Sequence, residues 1–204
     1  MPMGKKYNII YADPPWKFKT YSERGSRLKS ADCHYSCMSK EEIMGLPVSE
    51  IAARDSVLFL WVTFPLLKEG LETMKQWGFT YKTYGFNWVK KNKVADSWFI
   101  GLGYWTRSNS ELCLIGTKGH PKRLSKSVSQ ICDARIMEHS KKPDEIRERI
   151  VELCGDLPRV ELFARQTCDG WDCFGNEIDG SDIREALEQE GADYECRLSG
   201  TAVL

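Results

Sequence analysis

The tetrapeptide Asp13-Pro14-Pro15-Trp16 is the part of the sequence whose residue types most clearly suggest chemistry. It follows the apolar, β-prone run 7–12, which predicts a buried strand that delivers a carboxylate to the edge of a sheet. The two prolines restrict the backbone, so the Asp13 side chain and the Pro14 carbonyl become two pre-oriented hydrogen-bond acceptors. Two adjacent acceptors match the two N–H donors of an exocyclic amino group, and Trp16 offers a flat face for a base. The motif therefore predicts a site that holds an aromatic amine and frees its lone pair to attack an electrophile.

Other chemistries have less support in the sequence. Neither the Gly-x-Gly-x-x-Gly pattern of dinucleotide-binding folds nor the phosphate loop of nucleoside triphosphatases is present. The segment Cys33-His34-x-x-Cys37 lacks a well-spaced second pair of ligands, so we expect no metal site. No spacing favours a cysteine nucleophile paired with a histidine.

Strand-like and helix-like segments alternate around this motif. Strands are predicted over 7–12, 56–62, 81–89, 111–116 and 159–165, and helices over 39–46, 65–77, 143–153 and 181–190. This alternation predicts an α/β fold with an open, mostly parallel sheet flanked by helices, in which ligands bind at the carboxyl ends of the strands. The polar stretch 17–37 is long for a simple connection, which favours a functional loop or a disordered one.

Composition sets the class of protein. The chain has 204 residues, of which 42% are hydrophobic and 28% charged, as in one globular domain. No apolar run approaches the ~20 residues of a membrane helix, and we expect no signal peptide. Eight cysteines in such a chain are expected to be reduced thiols, in keeping with a cytoplasmic location. Transmembrane, secreted and fibrous classes are therefore excluded.

The net charge of zero hides an asymmetry along the chain. Residues 177–195 contain eight acids and one base, a net charge of −7, whereas residues 1–176 carry +6. We therefore divide the chain into a main domain, residues 1–178, and an acidic C-terminal helix and tail, residues 179–204. The mildly basic main domain is compatible either with solvated loops or with phosphate binding. Its basic residues cluster at Lys17, Lys19, Arg24, Arg27 and Lys29, and again at Lys118, Lys122, Arg123 and Lys126.

Several motifs in the same order resemble the MT-A seventy (MT-A70) family of N6-adenine methyltransferases, in its prokaryotic or phage branch. The resemblance covers about residues 7–178. It rests on Ala12–Trp16, Tyr35–Ser39, Leu58–Thr63, Trp88–Lys90, Glu111–Gly119, Ser140–Glu145, Glu161–Arg165 and Trp171–Asn176. It implies a Rossmann-like methyltransferase fold in which the catalytic motif precedes the cofactor-binding strand, and the use of S-adenosyl-L-methionine (SAM).

The resemblance also implies roles for individual residues. Asp13, Pro14, Pro15 and Trp16 would be catalytic. Lys142 would lie near the carboxylate of the cofactor, and Phe163 and Arg165 near its ribose. The remaining cofactor-binding candidates are Asp13, Thr167, Asn176 and Glu177. Asn176 and Glu177 stand at the family's adenine-reading Asn-Gln pair, in which Glu177 replaces the glutamine. Tyr35 and Trp88 are candidates to flank the target base, and Lys90 to contact a phosphate. Glu111 is expected either to pair with a basic residue of the cleft or to be a surface acid.

The expected reaction is methyl transfer to N6 of adenine in nucleic acid, with DNA preferred over RNA because the chain is compact. Two alternatives remain open at this stage. One is a catalytically silent subunit that binds nucleic acid or a partner, and the other is an N4-cytosine methyltransferase. A homodimer and a heterodimer with a related subunit are both compatible with a chain of this size.

Overall fold

The computed structural model describes residues 5–17, 37–103, 105–137 and 141–200, and the side chains of these up to residue 192. The strands are β1 (Tyr7–Ala12), β2 (Ala52–Val62), β3 (Thr80–Val89), β4 (Ser110–Lys118), β5 (Ile131–Cys132), β6 (Arg159–Leu162) and β7 (Asp172–Phe174). The helices are α1 (Lys40–Met44), α2 (Val48–Ile51), α3 (Leu67–Gln76), α4 (Glu145–Cys154), α5 (Asn176–Asp179) and α6 (Ile183–Gly200), with a 3₁₀ turn at Phe64–Leu66.

The seven strands form one sheet in the order β5-β3-β4-β2-β1-β6-β7. Strand β4 runs antiparallel to both of its neighbours, β2 and β3, whereas the other neighbouring pairs are parallel. The predicted α/β fold with an open, mostly parallel sheet is therefore confirmed. Because β1, β6 and β7 are adjacent and parallel, their carboxyl ends lie side by side at one edge of the sheet. In the sequence, β1 comes before β6, so the motif at residues 13–16 also precedes this neighbouring strand.

Helices cover both faces of the sheet, as the near-continuous burial of β1 requires. Ile10 and Ala12 belong to the apolar layer that includes residues of α1, α2, α3 and α6. Ile9 and Tyr11 belong to the opposite layer, which includes α4. Helix α6 contributes the buried side chains Ile183 and Leu187 to the first layer, so the acidic segment packs against the main domain. The boundary at residue 178 stays a prediction.

Differences from the predicted elements occur mainly at their ends. The strand predicted over 159–165 stops at Leu162 because Phe163 adopts a left-handed conformation with φ of 63°. The capping box of Ser39 and Glu42 forms as predicted and begins α1. The region predicted as a long loop lies mostly outside the described residues. Within the described part of the chain, no helix is long and apolar enough to cross a bilayer.

Candidate active site

The turn that follows β1 is fixed by its own backbone and by Trp16. The Trp16 amide donates to the Pro14 carbonyl at 2.9 Å, and Met38 pairs with the chain on both sides of Trp16. The Trp16 indole N–H donates to the Trp61 carbonyl at 3.1 Å, and Trp16 is only 7% exposed. The prediction of a free stacking face on Trp16 is therefore wrong in this conformation, because the ring belongs to the core. Trp16 instead anchors the turn that presents Asp13.

Four side chains of alternating charge cross the sheet edge, and we call Lys90, Glu111, Lys142 and Asp13 the charge row. Lys142 Nζ lies 2.6 Å from Asp13 Oδ2 and 3.3 Å from Glu111 Oε2, and Lys90 Nζ bonds Glu111 Oε1. The Lys142 and Glu111 side chains are only 10% and 11% exposed. The prediction that Glu111 pairs with a basic residue of the cleft is confirmed. Lys142 also lies over the Trp61 ring, with Nζ 5.4 Å from its centroid.

The two most deeply buried members of the charge row, Lys142 and Glu111, stay ionised. Burial disfavours the charged form of Lys142, but Asp13 and Glu111 outweigh it and raise the Lys142 pKa above its usual value. Burial likewise opposes ionisation of Glu111, but Lys142 and Lys90 hold the Glu111 pKa below its usual range. Lys142 is therefore a cation and Glu111 an anion at neutral pH.

A second buried ion pair lies on the α4 side of Asp13. Arg147 Nε and Nη2 donate to the Glu161 carboxylate at 2.6 and 2.8 Å, and Arg147 Nη1 donates to Asp144 Oδ1 at 2.7 Å. Burial raises the Glu161 pKa, although Arg147 acts against that shift. The sequence reasoning assigned no role to Arg147 or Glu161. The available signal was a charged residue next to Ile146, on the buried face of an amphipathic helix.

Two cavities meet at the end of β1. The first, of about 300 Å³, extends from Asp13 towards α1 and α6, and the second, of about 230 Å³, extends towards α4. Both are lined by Asp13, Phe163, Arg165 and Glu177. Asn176 lines the first cavity, and Lys142 with its neighbour Lys141 lines the second. The structure thus brings six of the seven predicted cofactor-binding residues around one continuous site.

Thr167 is the exception among those seven residues. It is exposed on the loop after β6, and neither cavity has it as a lining residue. Its neighbour Gln166 lines the second cavity instead. The expectation that Thr167 contacts the cofactor stays a prediction, which the lining of these two cavities does not support.

Of the three predicted substrate-binding residues, the structure describes Trp88 and Lys90. Trp88 is 1% exposed and donates its indole N–H to the Ala134 carbonyl at 2.9 Å, so the expectation that it flanks a base is corrected to a core role. Lys90 bonds Glu111 and lies over the Trp88 ring at 4.9 Å, which commits its ammonium to the charge row rather than to a phosphate. Tyr35 lies outside the described residues. No metal-binding group of three or more His, Cys, Asp or Glu occurs among the residues described.

The chain is thus a Rossmann-like α/β protein whose candidate ligand site lies at the carboxyl ends of three parallel strands. The family model of MT-A70 matches residues 7–177, and the chain belongs to that family. It is 33% identical over 202 residues to the type II methyltransferase M.MunI of a Mycoplasma species, covering 91% of this chain and 84% of that protein.

Two further relatives are much longer than this chain. The N(6)-adenosine-methyltransferase MT-A70-like protein of Drosophila melanogaster is 32% identical over 86% of this chain and 27% of its own length. The human N(6)-adenosine-methyltransferase catalytic subunit METTL3 is 30% identical over 86% of this chain and 29% of its own length. The chain therefore corresponds to less than a third of these two proteins.

Proposed function

We propose that this protein transfers a methyl group from SAM to N6 of adenine in nucleic acid, with DNA as the preferred substrate. The observation that carries the proposal is the position of Asp13. In a chain of the MT-A70 family, its carboxylate stands at the end of β1, where the two cavities meet, on a turn fixed by Trp16. A pre-oriented acceptor at this point is suited to an exocyclic amino group.

The donor and acceptor chemistry of the two cavities fits SAM. The second cavity has four cationic side chains against the three carboxylates of Asp13, Glu161 and Glu177, an excess that suits the carboxylate of an amino acid. The cationic side chains are those of Lys141, Lys142, Arg147 and Arg165. The first has the amide of Asn176 and the carboxylate of Glu177, which suit the hydroxyls and amino group of a nucleoside. Glu177 is acceptor-only, so we assign it to the ribose hydroxyls. When bound, SAM supplies a methyl group on a sulfonium, an electrophile that a neutral amine can attack without a covalent enzyme intermediate.

The protein's own contribution is positioning and electrostatics. Asp13 accepts an N–H of the target amine, and the Pro14 carbonyl, which has a second lone pair besides the one used by Trp16, accepts the other. Lys142 bonds Asp13 Oδ2 and so fixes the orientation of the carboxylate. Asp13 also stands where it can take up the amino proton that is lost when the nitrogen is alkylated.

The preference for DNA rests on how much of each relative is matched. The chain covers 84% of a type II methyltransferase but only 27% and 29% of two adenosine methyltransferases. A cytoplasmic location and assembly as a homodimer, or with a related subunit, belong to the same proposal. Cys113, Cys132, Cys154, Cys168 and Cys173 are free thiols, which agrees with a reducing compartment.

The test is a methylation assay with labelled SAM on double-stranded DNA, single-stranded DNA and RNA, followed by identification of the modified nucleoside. We expect N6-methyladenine from the DNA substrates. Asp13→Asn keeps the size of the side chain but places donors where acceptors are needed, and it should lower turnover by at least ~100-fold. Asp133→Asn, which changes an exposed partner of Lys91, is the matched control and should leave turnover unchanged. N4-methylcytosine as product, or SAM binding without turnover on any substrate, would replace this proposal by one of the two alternatives.

A further inference from the structure

The cavity that extends towards α1 is bounded partly by residues that follow the family match. The match ends at residue 177, yet Asp182, Ile183 and Arg184 line this cavity together with Glu42 of α1. We call these four residues the α1–α6 wall. We propose that the α1–α6 wall binds the adenosine half of SAM, so that the acidic C-terminal helix is part of the cofactor site. This inference rests on the proposed use of SAM.

The first turn of α6 is held firmly against the cavity. Ile183 is 6% exposed and Leu187 is fully buried, both within the apolar layer that covers β1. Arg184 reaches across to the end of α1, where its Nη1 donates to the Gly45 carbonyl at 2.9 Å. A second bond, from Arg184 Nη2 to the Glu42 carbonyl, is longer at 3.5 Å. Two apolar anchors and these cross-helix hydrogen bonds fix the position of this turn relative to Asp13. The wall is therefore preorganised and needs little ordering when a ligand binds.

The charges of this cavity favour a ligand rich in hydrogen-bond donors. Its lining includes four carboxylates but only two guanidinium groups. The carboxylates are those of Asp13, Glu42, Glu177 and Asp182, and the guanidinium groups those of Arg165 and Arg184. Adenosine presents its donors as two ribose hydroxyls and one exocyclic amino group, and carboxylates at strand ends commonly accept from ribose hydroxyls. This excess of carboxylates distinguishes the first cavity from the second, whose lining has four cationic side chains and three carboxylates.

The two wall carboxylates are oriented by the helices that they cap. Asp182 Oδ1 accepts from the backbone amides of Arg184 and Glu185, at 2.8 and 3.4 Å. Glu42 Oε2 accepts from the Ser39 amide at 2.7 Å, and these bonds with Ser39 lower the Glu42 pKa, so Glu42 is ionised at neutral pH. The same contacts that begin α1 and α6 therefore hold two anionic acceptors at the rim of the cavity.

The capping roles permit a test that spares the fold. Glutamine replaces glutamate in a capping box, and asparagine caps a helix as well as aspartate, so Glu42→Gln and Asp182→Asn remove charge while preserving both helix starts. Glu185→Gln is the matched control, because Glu185 lies in the same turn of α6 but does not line the cavity. Circular dichroism and melting temperatures of all variants establish that the fold is intact.

The measurement is isothermal titration of each purified variant with SAM and with S-adenosylhomocysteine, which has the same adenosine half but no sulfonium charge. We expect the double variant to bind both ligands about tenfold more weakly than the native protein, and Glu185→Gln to bind within about twofold of it. An unchanged Kd in the double variant, or a loss confined to SAM, would overturn the inference, the latter because it reveals a general charge effect. If the native protein bound neither ligand, the proposed function itself would fail.

Discussion

Removing the Lys142 ammonium is the perturbation that tests the charge row most directly. Lys142→Met keeps the length of the side chain but leaves Asp13 without its partner at 2.6 Å and Glu111 with Lys90 alone. Breaking a buried ion pair by removing one partner costs about 3–5 kcal/mol, because the remaining charge stays buried. Since the Asp13 side chain is 25% exposed and can be partly hydrated, we expect the lower end, about 3 kcal/mol at pH 7.

The dependence of this loss on pH has a definite sign. Lys142 and Lys90 lower the Glu111 pKa in the folded state, so ionised Glu111 stabilises the native protein above its unfolded pKa, and this contribution is lost as the pH falls. In the variant, the Glu111 pKa should be higher, because burial raises it and Lys142 no longer lowers it. Glu111 should then take up a proton as the pH falls, which removes the buried negative charge. The difference in stability between native protein and variant should therefore be largest near neutral pH and shrink between about pH 6 and pH 4.

The assay is urea denaturation followed by tryptophan fluorescence at several pH values, on protein without ligand. Lys141→Met is the matched control, since Lys141 forms only a half-exposed pair with Asp144 and should cost less than about 1 kcal/mol. A double-mutant cycle with Asp13→Asn isolates the coupling to Asp13, expected at about 1–3 kcal/mol. A cost for Lys142→Met equal to that of the control, or one that does not vary with pH, would refute the description of the charge row.

Three further predictions concern the surroundings of Asp13, each measured as a free energy of unfolding in urea. Phe163→Gly should be about 1 kcal/mol more stable than Phe163→Ala, the reverse of the usual order, because φ is 63° there; equal values would argue against the left-handed turn. Gly175→Ala should cost about 3 kcal/mol, since its Cβ would lie 2.2 Å from a backbone oxygen, and a neutral result would contradict that packing. Arg147→Met should cost about 3 kcal/mol and Arg149→Met, at the more exposed pair with Glu145, less than about 1 kcal/mol.

The fold could be predicted where the elements are long enough to show periodicity. Strands β1 to β4 and helices α3 and α4 lie where the apolar pattern places them, and α6 begins within the polar helix predicted over 181–190. The segments missed were β5, β7, α2 and α5, which are two to four residues long and exist only through tertiary contacts. Such pieces have no intrinsic stability in isolation, so local sequence does not encode them.

The candidate site was predictable in its residues but not in its contacts. The sequence indicated Asp13 and its rigid turn from the prolines alone, and the family resemblance supplied Lys142 and Asn176. The sequence did not show that Trp16 and Trp88 are core residues, because an aromatic side chain is equally suited to packing in a core and to stacking on a base. Burial decides between those roles, and burial depends on the strand order, which no local pattern determines.

The single antiparallel strand explains how the charge row can form. In a parallel sheet, side chains gather at one edge only from the carboxyl ends of strands, as Asp13 does after β1. Because β4 is reversed, its second residue, Glu111, pairs in register with Trp88 near the end of β3 and thus reaches the same edge. Glu111 can then hold both Lys90, which follows β3, and Lys142, which precedes α4. Were β4 parallel, the residues at its beginning would lie at the opposite edge, and Lys142 would face Asp13 without the second carboxylate that fixes it.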